Sequence, residues 1–180
     1  MIYLFLATGF EEIEAVATID VIRRAELPLT TVSITGCHQV VGAHNITIEA
    51  DALFEDTVFE RPQMLILPGG MPGTTNLGKY APLTDLLKEH NKRGGRIAAI
   101  CAAPSILGQM HILRNQQAVC YPGFEEQLSG AFIGKEPVVV SGNIITSRGP
   151  GFANEFGLKI VEVLNGADAA NQVAQEMLLH

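Results

Sequence analysis

The sequence contains no tryptophan, and 3 Tyr and 8 Phe make up its whole aromatic content, 6% of 180 residues. Its core must therefore be aliphatic. Hydrophobic residues reach 47%, which excludes a disordered or extended chain. The sequence also lacks a basic cluster. With a net charge of −7, it has no stripe of Lys and Arg of the kind that neutralises phosphates in nucleic-acid binders, so no nucleic-acid partner is expected. There are 3 cysteines, Cys37, Cys101 and Cys120. An odd count without a Cys-x-x-Cys pair points to neither a disulfide framework nor a zinc site. No apolar run reaches the length of a membrane-spanning helix. The apolar start, Met1 to Ala7, is short, has no basic flank and runs into Glu11-Glu12-Ile13-Glu14. It reads as a first core strand and not as a secretory leader. These absences together predict one reduced, cytoplasmic domain over 1–180 with no membrane partner.

The patterning that is present alternates strands with helices. Ile2 to Ala7 is a continuous apolar run, as a buried parallel strand requires, and Glu11 to Ala25 carries a broad apolar helical face. Leu29 to Ile34, Met64 to Leu67 and Arg96 to Ile100 read as further strands. A hairpin is expected across Val40 to Ile48, and a short strand at Ala118-Val119. Leu83 to Arg93 and Ala102 to Met110 read as helices. Val138-Val139-Val140 and Ile144-Ile145-Thr146 flank Ser141-Gly142-Asn143, a second hairpin signal, before two closing helices, Gly151 to Leu164 and Asp168 to Leu179. The alternation implies an α/β sandwich on a mostly parallel sheet.

Chemistry concentrates at Cys101. A buried strand runs directly into it, the small residues Ala102 and Ala103 follow, and Pro104 suits the first turn of a helix. Strand, sharp turn, nucleophile and helix make up a nucleophile elbow, although the Gly-x-nucleophile-x-Gly spacing is absent. Helix N-terminal amides aimed at the sulfur predict an enriched thiolate. The competing reading is a structural cysteine, since a free Cys is often just a small core residue. Leu67-Pro68-Gly69-Gly70 ends a neighbouring strand, so it falls at the same edge of the sheet. Its glycines permit a main-chain amide to approach an oxyanion, although a plain Pro-Gly turn would look the same. Glu14 lies in the first turns of the first helix, where a poorly solvated carboxyl can hold its proton near neutrality. Glu11 and Glu12 read as charged residues at a helix N-terminus, favoured by the helix dipole.

Gly9-Phe10-Glu11-Glu12-Ile13-Glu14, Leu67-Pro68-Gly69-Gly70, Ala98-Ala99-Ile100-Cys101-Ala102-Ala103-Pro104 and Thr146-Ser147-Arg148-Gly149-Pro150-Gly151 resemble, in order and spacing, the ThiJ/PfpI superfamily and its DJ-one branch. The resemblance implies a flavodoxin-like three-layer sandwich of the class I glutamine amidotransferase-like type, usually a homodimer. It implies a reactive, oxidation-sensitive Cys101, a protonated partner Glu14, and oxyanion amides from Gly70 and Ala102. Gly69, Tyr121 and Arg148 would support the pocket, with His44 and Arg24 where the branch carries basic residues. One departure is visible. Animal members place a His before a Pro near the cysteine, and here the segment is Cys120-Tyr121-Pro122. Tyrosine is a poor base at neutral pH. His38, His90, His111 and His180 read as surface or packing residues, and Cys120 as a spectator or a resolving thiol.

The resemblance therefore implies a cofactor-independent, metal-free glyoxalase or deglycase acting on small α-oxoaldehydes such as methylglyoxal and glyoxal. The alternative is a cysteine redox sensor or oxidative-stress chaperone without turnover. Cysteine peptidase or amidotransferase chemistry, found elsewhere in the superfamily, normally needs the Cys–His pair that Tyr121 withholds.

Overall fold

The structure, a computed structural model, describes residues 1–179; His180 lies outside the described residues. The chain runs β1 (Ile2–Leu6), α1 (Glu12–Arg24), β2 (Leu29–Ser33), β3 (Gln39–Val41), β4 (Thr47–Glu49), β5 (Ala52–Leu53), β6 (Met64–Leu67), α2 (Gly73–Lys79), α3 (Ala81–Lys92), β7 (Arg96–Ile100) and α4 (Pro104–Gln109). It continues with β8 (Gln117–Ala118), β9 (Phe132–Ile133), β10 (Val138–Ser141), β11 (Ile144–Ser147), α5 (Ala153–Asn165) and α6 (Ala167–Glu176). The main sheet has 7 strands in the order β10-β11-β7-β6-β1-β2-β5. Every pairing in it is parallel except that of β10 with β11.

Alternation along the central strands sorts their side chains onto two faces. Ile2, Leu4, Leu6, Met64, Ile66, Ala98 and Ile100 pack with Ala15, Val21 and Ile22 of α1, Phe156 and Ile160 of α5, and Val173 of α6. Tyr3, Phe5, Leu65, Leu67, Ile97 and Ala99 pack with Leu77 of α2, Leu83 and Leu87 of α3, and Ile106 and Leu107 of α4. The result is the three-layer α/β sandwich that strand-helix alternation demands. Both faces of the sheet are covered, which is why its strands read as unbroken apolar runs.

Four elements depart from the sequence reading. Residues 73–79 form a helix where Gly, Thr and Asn suggested only loop. The α4 helix starts at Pro104, two residues later than expected, after a turn at 101–103. The two-residue strands β5 and β9 carry too little pattern to read. No helix among the described residues is long and apolar enough to cross a membrane.

Candidate active site

Strands β11, β7, β6 and β1 are neighbours and parallel, so their C-terminal ends share one edge of the sheet. The segments leaving those ends carry Arg148, Cys101, Gly69-Gly70 and the start of α1 with Glu14. This is the crevice position typical of open α/β sheets.

Cys101 follows β7 directly with φ +65°, a left-handed backbone unusual for a residue with a side chain. Hydrogen bonds hold it there. Its N–H donates to the Ser147 carbonyl at 2.9 Å, and its carbonyl accepts the Tyr121 N–H at 2.8 Å. The side chain is 8% exposed, reachable but largely dry. The Gly70 and Ala102 amides face the sulfur. Among the described residues no main-chain carbonyl takes either amide, so neither is committed to the backbone.

Glu14 is fully buried. Its Oε2 accepts the Gly69 N–H at 2.9 Å. Its Oε1 meets no conventional donor among the described residues. The carboxyl faces the Cys101 thiol, and each group acts on the other's titration. Burial, opposed by the Cys101 contact and aided by the nearby Glu11 charge, pushes Glu14 up to about 7. A neutral acid here has an O–H to donate towards sulfur.

Burial also pushes the Cys101 thiol up, and the charge and acceptor oxygens of Glu14 push it further, against the pull of the Gly70 and Ala102 amides. Burial and the Glu14 carboxyl thus work against the enriched thiolate expected from the elbow, and the two amides work for it. The α4 helix has only 6 residues, and desolvation outweighs what its N-terminus contributes. Protonation of Glu14 removes its charge and turns it from acceptor to donor. Thiolate formation is thus tied to the proton on Glu14.

Gly69 and Gly70 are glycines for steric reasons. A Cβ on Gly69 would lie 2.6 Å from the Cys101 Cβ and 2.7 Å from Glu14 Oε2. Gly70 adopts φ +93°, and a Cβ there would lie 2.3 Å from the Glu11 nitrogen.

The remaining expected site residues are placed differently. Tyr121 reaches Cys101 through its main chain, while its ring is 46% exposed and lies against Gly149. Arg148 lines a cleft of about 560 Å³ with Cys120, Glu125, Ile133 and Lys135. Burial and the Glu125 charge push the Cys120 thiol up to about 11, with Arg148 opposing. Cys37 is exposed, and all three cysteines are free. Arg24 is not brought to the elbow within this chain. It lies ten residues beyond Glu14 on α1, about 15 Å at the helical rise, and pairs with Asp20 at 2.9 Å. His44 is held beside Glu12, with Nδ1 2.8 Å from Oε2, and its side chain is 70% exposed.

Glu11 and Glu12 stand at the N-terminus of α1, as expected, and are buried there. They are only 9% and 6% exposed because the turn between β3 and β4 folds over them. Glu12 accepts the main-chain N–H of His44 at 2.6 Å and of Ile46 at 3.4 Å. Glu11 caps α1 by accepting the Glu14 N–H at 2.7 Å. Helix N-termini commonly carry exposed acids, so no local pattern set these two apart. Glu11, Glu12 and His44 also form a group whose ligand-type atoms lie within 4.8 Å of one another. His90 packs inside, with Nε2 3.0 Å from the Arg96 carbonyl, and His38 Nδ1 lies 2.8 Å from the Ala50 carbonyl.

Known proteins resemble this chain along most of its length. A family model described as the DJ-1/PfpI family matches residues 1–163. The Drosophila melanogaster protein dj-1beta is 35% identical over 178 residues, covering 98% of this chain and 95% of that protein. A Caenorhabditis elegans protein named glutathione-independent glyoxalase DJR-1.2 is 34% identical over 170 residues, covering 94% of this chain and 90% of its own. The solved structure of oxidized Toxoplasma gondii DJ-1 superposes with a TM-score of 0.94 at 37% identity, covering 99% of this chain and 97% of that one.

Proposed function

This chain belongs to the DJ-1/PfpI family, and from that premise we propose that it is a cofactor-independent glyoxalase or deglycase using Cys101 as nucleophile. The observation that carries the reading is the pairing of a buried thiol with a buried carboxyl near neutrality, beside two uncommitted amides. The C. elegans relative named for a glutathione-independent glyoxalase supports it.

In the proposed reaction the Cys101 sulfur, its proton passed to solvent or substrate oxygen, adds to the aldehyde carbon of an α-oxoaldehyde. The oxyanion formed takes hydrogen bonds from the Gly70 and Ala102 amides. Glu14 in its ionised form removes the proton from the former aldehyde carbon and returns it to the adjacent carbon, converting the hemithioacetal to a thioester. Water then cleaves the thioester, freeing Cys101 and a 2-hydroxy acid. Methylglyoxal plus water gives lactate, so atoms balance without an external oxidant. A group that titrates near 7 suits both proton steps. Aldehyde adducts on amines or thiols would enter as alternative substrates. Arg148 and the Gly149-Pro150-Gly151 turn, in a cytoplasmic homodimer, would border the pocket.

Purified protein is incubated with methylglyoxal while lactate is followed, alongside Cys101→Ser and Glu14→Gln. Lactate from the wild type, lost in both variants, supports the proposal; its absence from the wild type sinks it.

A second reading has its own support in the relative solved in an oxidized form. Peroxide would convert Cys101 stepwise to sulfenic and sulfinic acid, each step reducing one peroxide to water. The Glu14 O–H and the same two amides would hold the added oxygens. Peroxide-dependent gain of two oxygens at Cys101, without lactate formation, favours this sensor role.

A further inference from the structure

Three hydrogen bonds close a ring around the acid of the site. The Glu11 N–H donates to the Gly69 carbonyl at 2.9 Å. The Gly69 N–H donates to Glu14 Oε2 at 2.9 Å. The Glu14 N–H donates to Glu11 Oε2 at 2.7 Å. Glu11 thus binds the loop carrying Gly69 with its main chain and the first turn of α1 with its side chain. Gly69 in turn abuts both Cys101 and Glu14. The ring ties the first turn of α1 to the loop after β6.

We propose that Glu11 is the positioning residue of the Glu14–Cys101 pair, keeping helix and glycine loop in register and keeping the proton on Glu14. The second part follows from charge. A carboxylate one helical turn away, in a buried setting, opposes a second negative charge on Glu14. The groups that bear on this are few. Glu14 is faced by Glu11 from its own helix, by the Gly69 amide from the loop after β6, and by the Cys101 thiol from the turn after β7. Glu11 is faced in turn by His44, with Nδ1 4.0 Å from Oε1. The His44 side chain is 70% exposed, so solvent weakens its compensation of the Glu11 charge.

The inference rests on the Glu14–Cys101 pairing of the proposed function, but its test uses no aldehyde. Asp and Asn are both strong N-cap residues, so Glu11→Asp and Glu11→Asn are both expected to fold and differ mainly in charge. Two readouts apply. One is the infrared carboxyl band of Glu14, assigned with Glu14→Gln and followed against pH. The other is the pH profile of Cys101 alkylation by iodoacetamide, read by mass spectrometry of the Cys101 peptide. Glu11→Asp is expected to keep the wild-type midpoint. Glu11→Asn is expected to weaken proton binding at Glu14 about tenfold and to slow alkylation at neutral pH severalfold, because an ionised Glu14 opposes the thiolate. Identical midpoints in the two variants would overturn the charge role. A wild type that makes no lactate but shows the Asp–Asn difference would fail only the enzymatic reading.

Discussion

Gly69 and Cys101 are in such close contact that a methyl group on the first would stand 2.6 Å from the Cβ of the second. Neither can give way easily. Cys101 is held at φ +65° by hydrogen bonds on both sides, and Gly69 is pinned between Glu11 and Glu14. Gly69→Ala is therefore expected to cost about 1–3 kcal/mol of stability, the usual penalty for overpacking. It should also displace the Cys101 sulfur from the Gly70 and Ala102 amides. Urea denaturation measures the first effect, and the alkylation rate of Cys101 in the folded variant measures the second.

Glu14 makes the fold sensitive to alkali. Its carboxyl is raised to about 7 from an ordinary value of 4.5, so the folded state holds its proton where the unfolded state has lost it. Its contribution to stability is complete below about 4.5 and is lost as pH rises through 7. The upper limit of that loss is roughly 3 kcal/mol. Glu14→Gln carries no such proton and should flatten the stability profile between those limits. Thermal melts from pH 4 to pH 8 on both proteins check it, and parallel profiles would contradict the assignment.

His44 loses its contribution in the same direction, through a cation instead of a neutral acid. The Glu12 hydrogen bond and charge hold its imidazolium above the ordinary 6.5. The gain is present below 6.5 and disappears as pH climbs through the raised midpoint. In proton NMR titrations, the His44 ring resonance should have a midpoint above 6.5 that returns towards it in Glu12→Gln. An unmoved midpoint in the variant would dissociate the pair.

Tyr121 serves Cys101 through its main-chain N–H, which any residue except proline supplies. Tyr121→Phe is accordingly expected to keep methylglyoxal turnover within about twofold of wild type, whereas Tyr121→Pro should lose both that hydrogen bond and the activity. Steady-state kinetics distinguish these outcomes. A large kcat loss in the Phe variant would assign the hydroxyl a role in the chemistry.

The parts of this site that could be read from sequence are those encoded in short runs. The strand entering Cys101, the strand ending at Pro68-Gly69-Gly70, and the break between Glu11-Glu12 and Glu14 are all local patterns, and parallel pairing places them at one edge. Burial of Glu11 and Glu12 depends on a turn more than 30 residues away, shown by the contact of Glu12 with His44 at a separation of 32. No local periodicity encodes that. The same limit applies to the thiol, where a helix N-terminus argued for ionisation and only the packed structure shows that desolvation wins. Helix α2 carries little sequence signal because its Gly, Thr and Asn residues have weak helix propensity and its apolar anchor is the single core residue Leu77. Only the family resemblance points Arg24 to the pocket, and within one chain it stands at the C-terminal end of α1.

The carbonyl of Ser147 that holds the Cys101 amide has a bearing on biosynthesis. The acid arrives with residue 14, the thiol with residue 101, and the clasp that fixes the elbow only with residue 147. Chains emerge from the ribosome N-terminus first at about 5–20 residues per second. For the seconds between residues 101 and 147, the nascent thiol has no clasp. The juxtaposition of thiol, carboxyl and amides therefore belongs only to the finished fold.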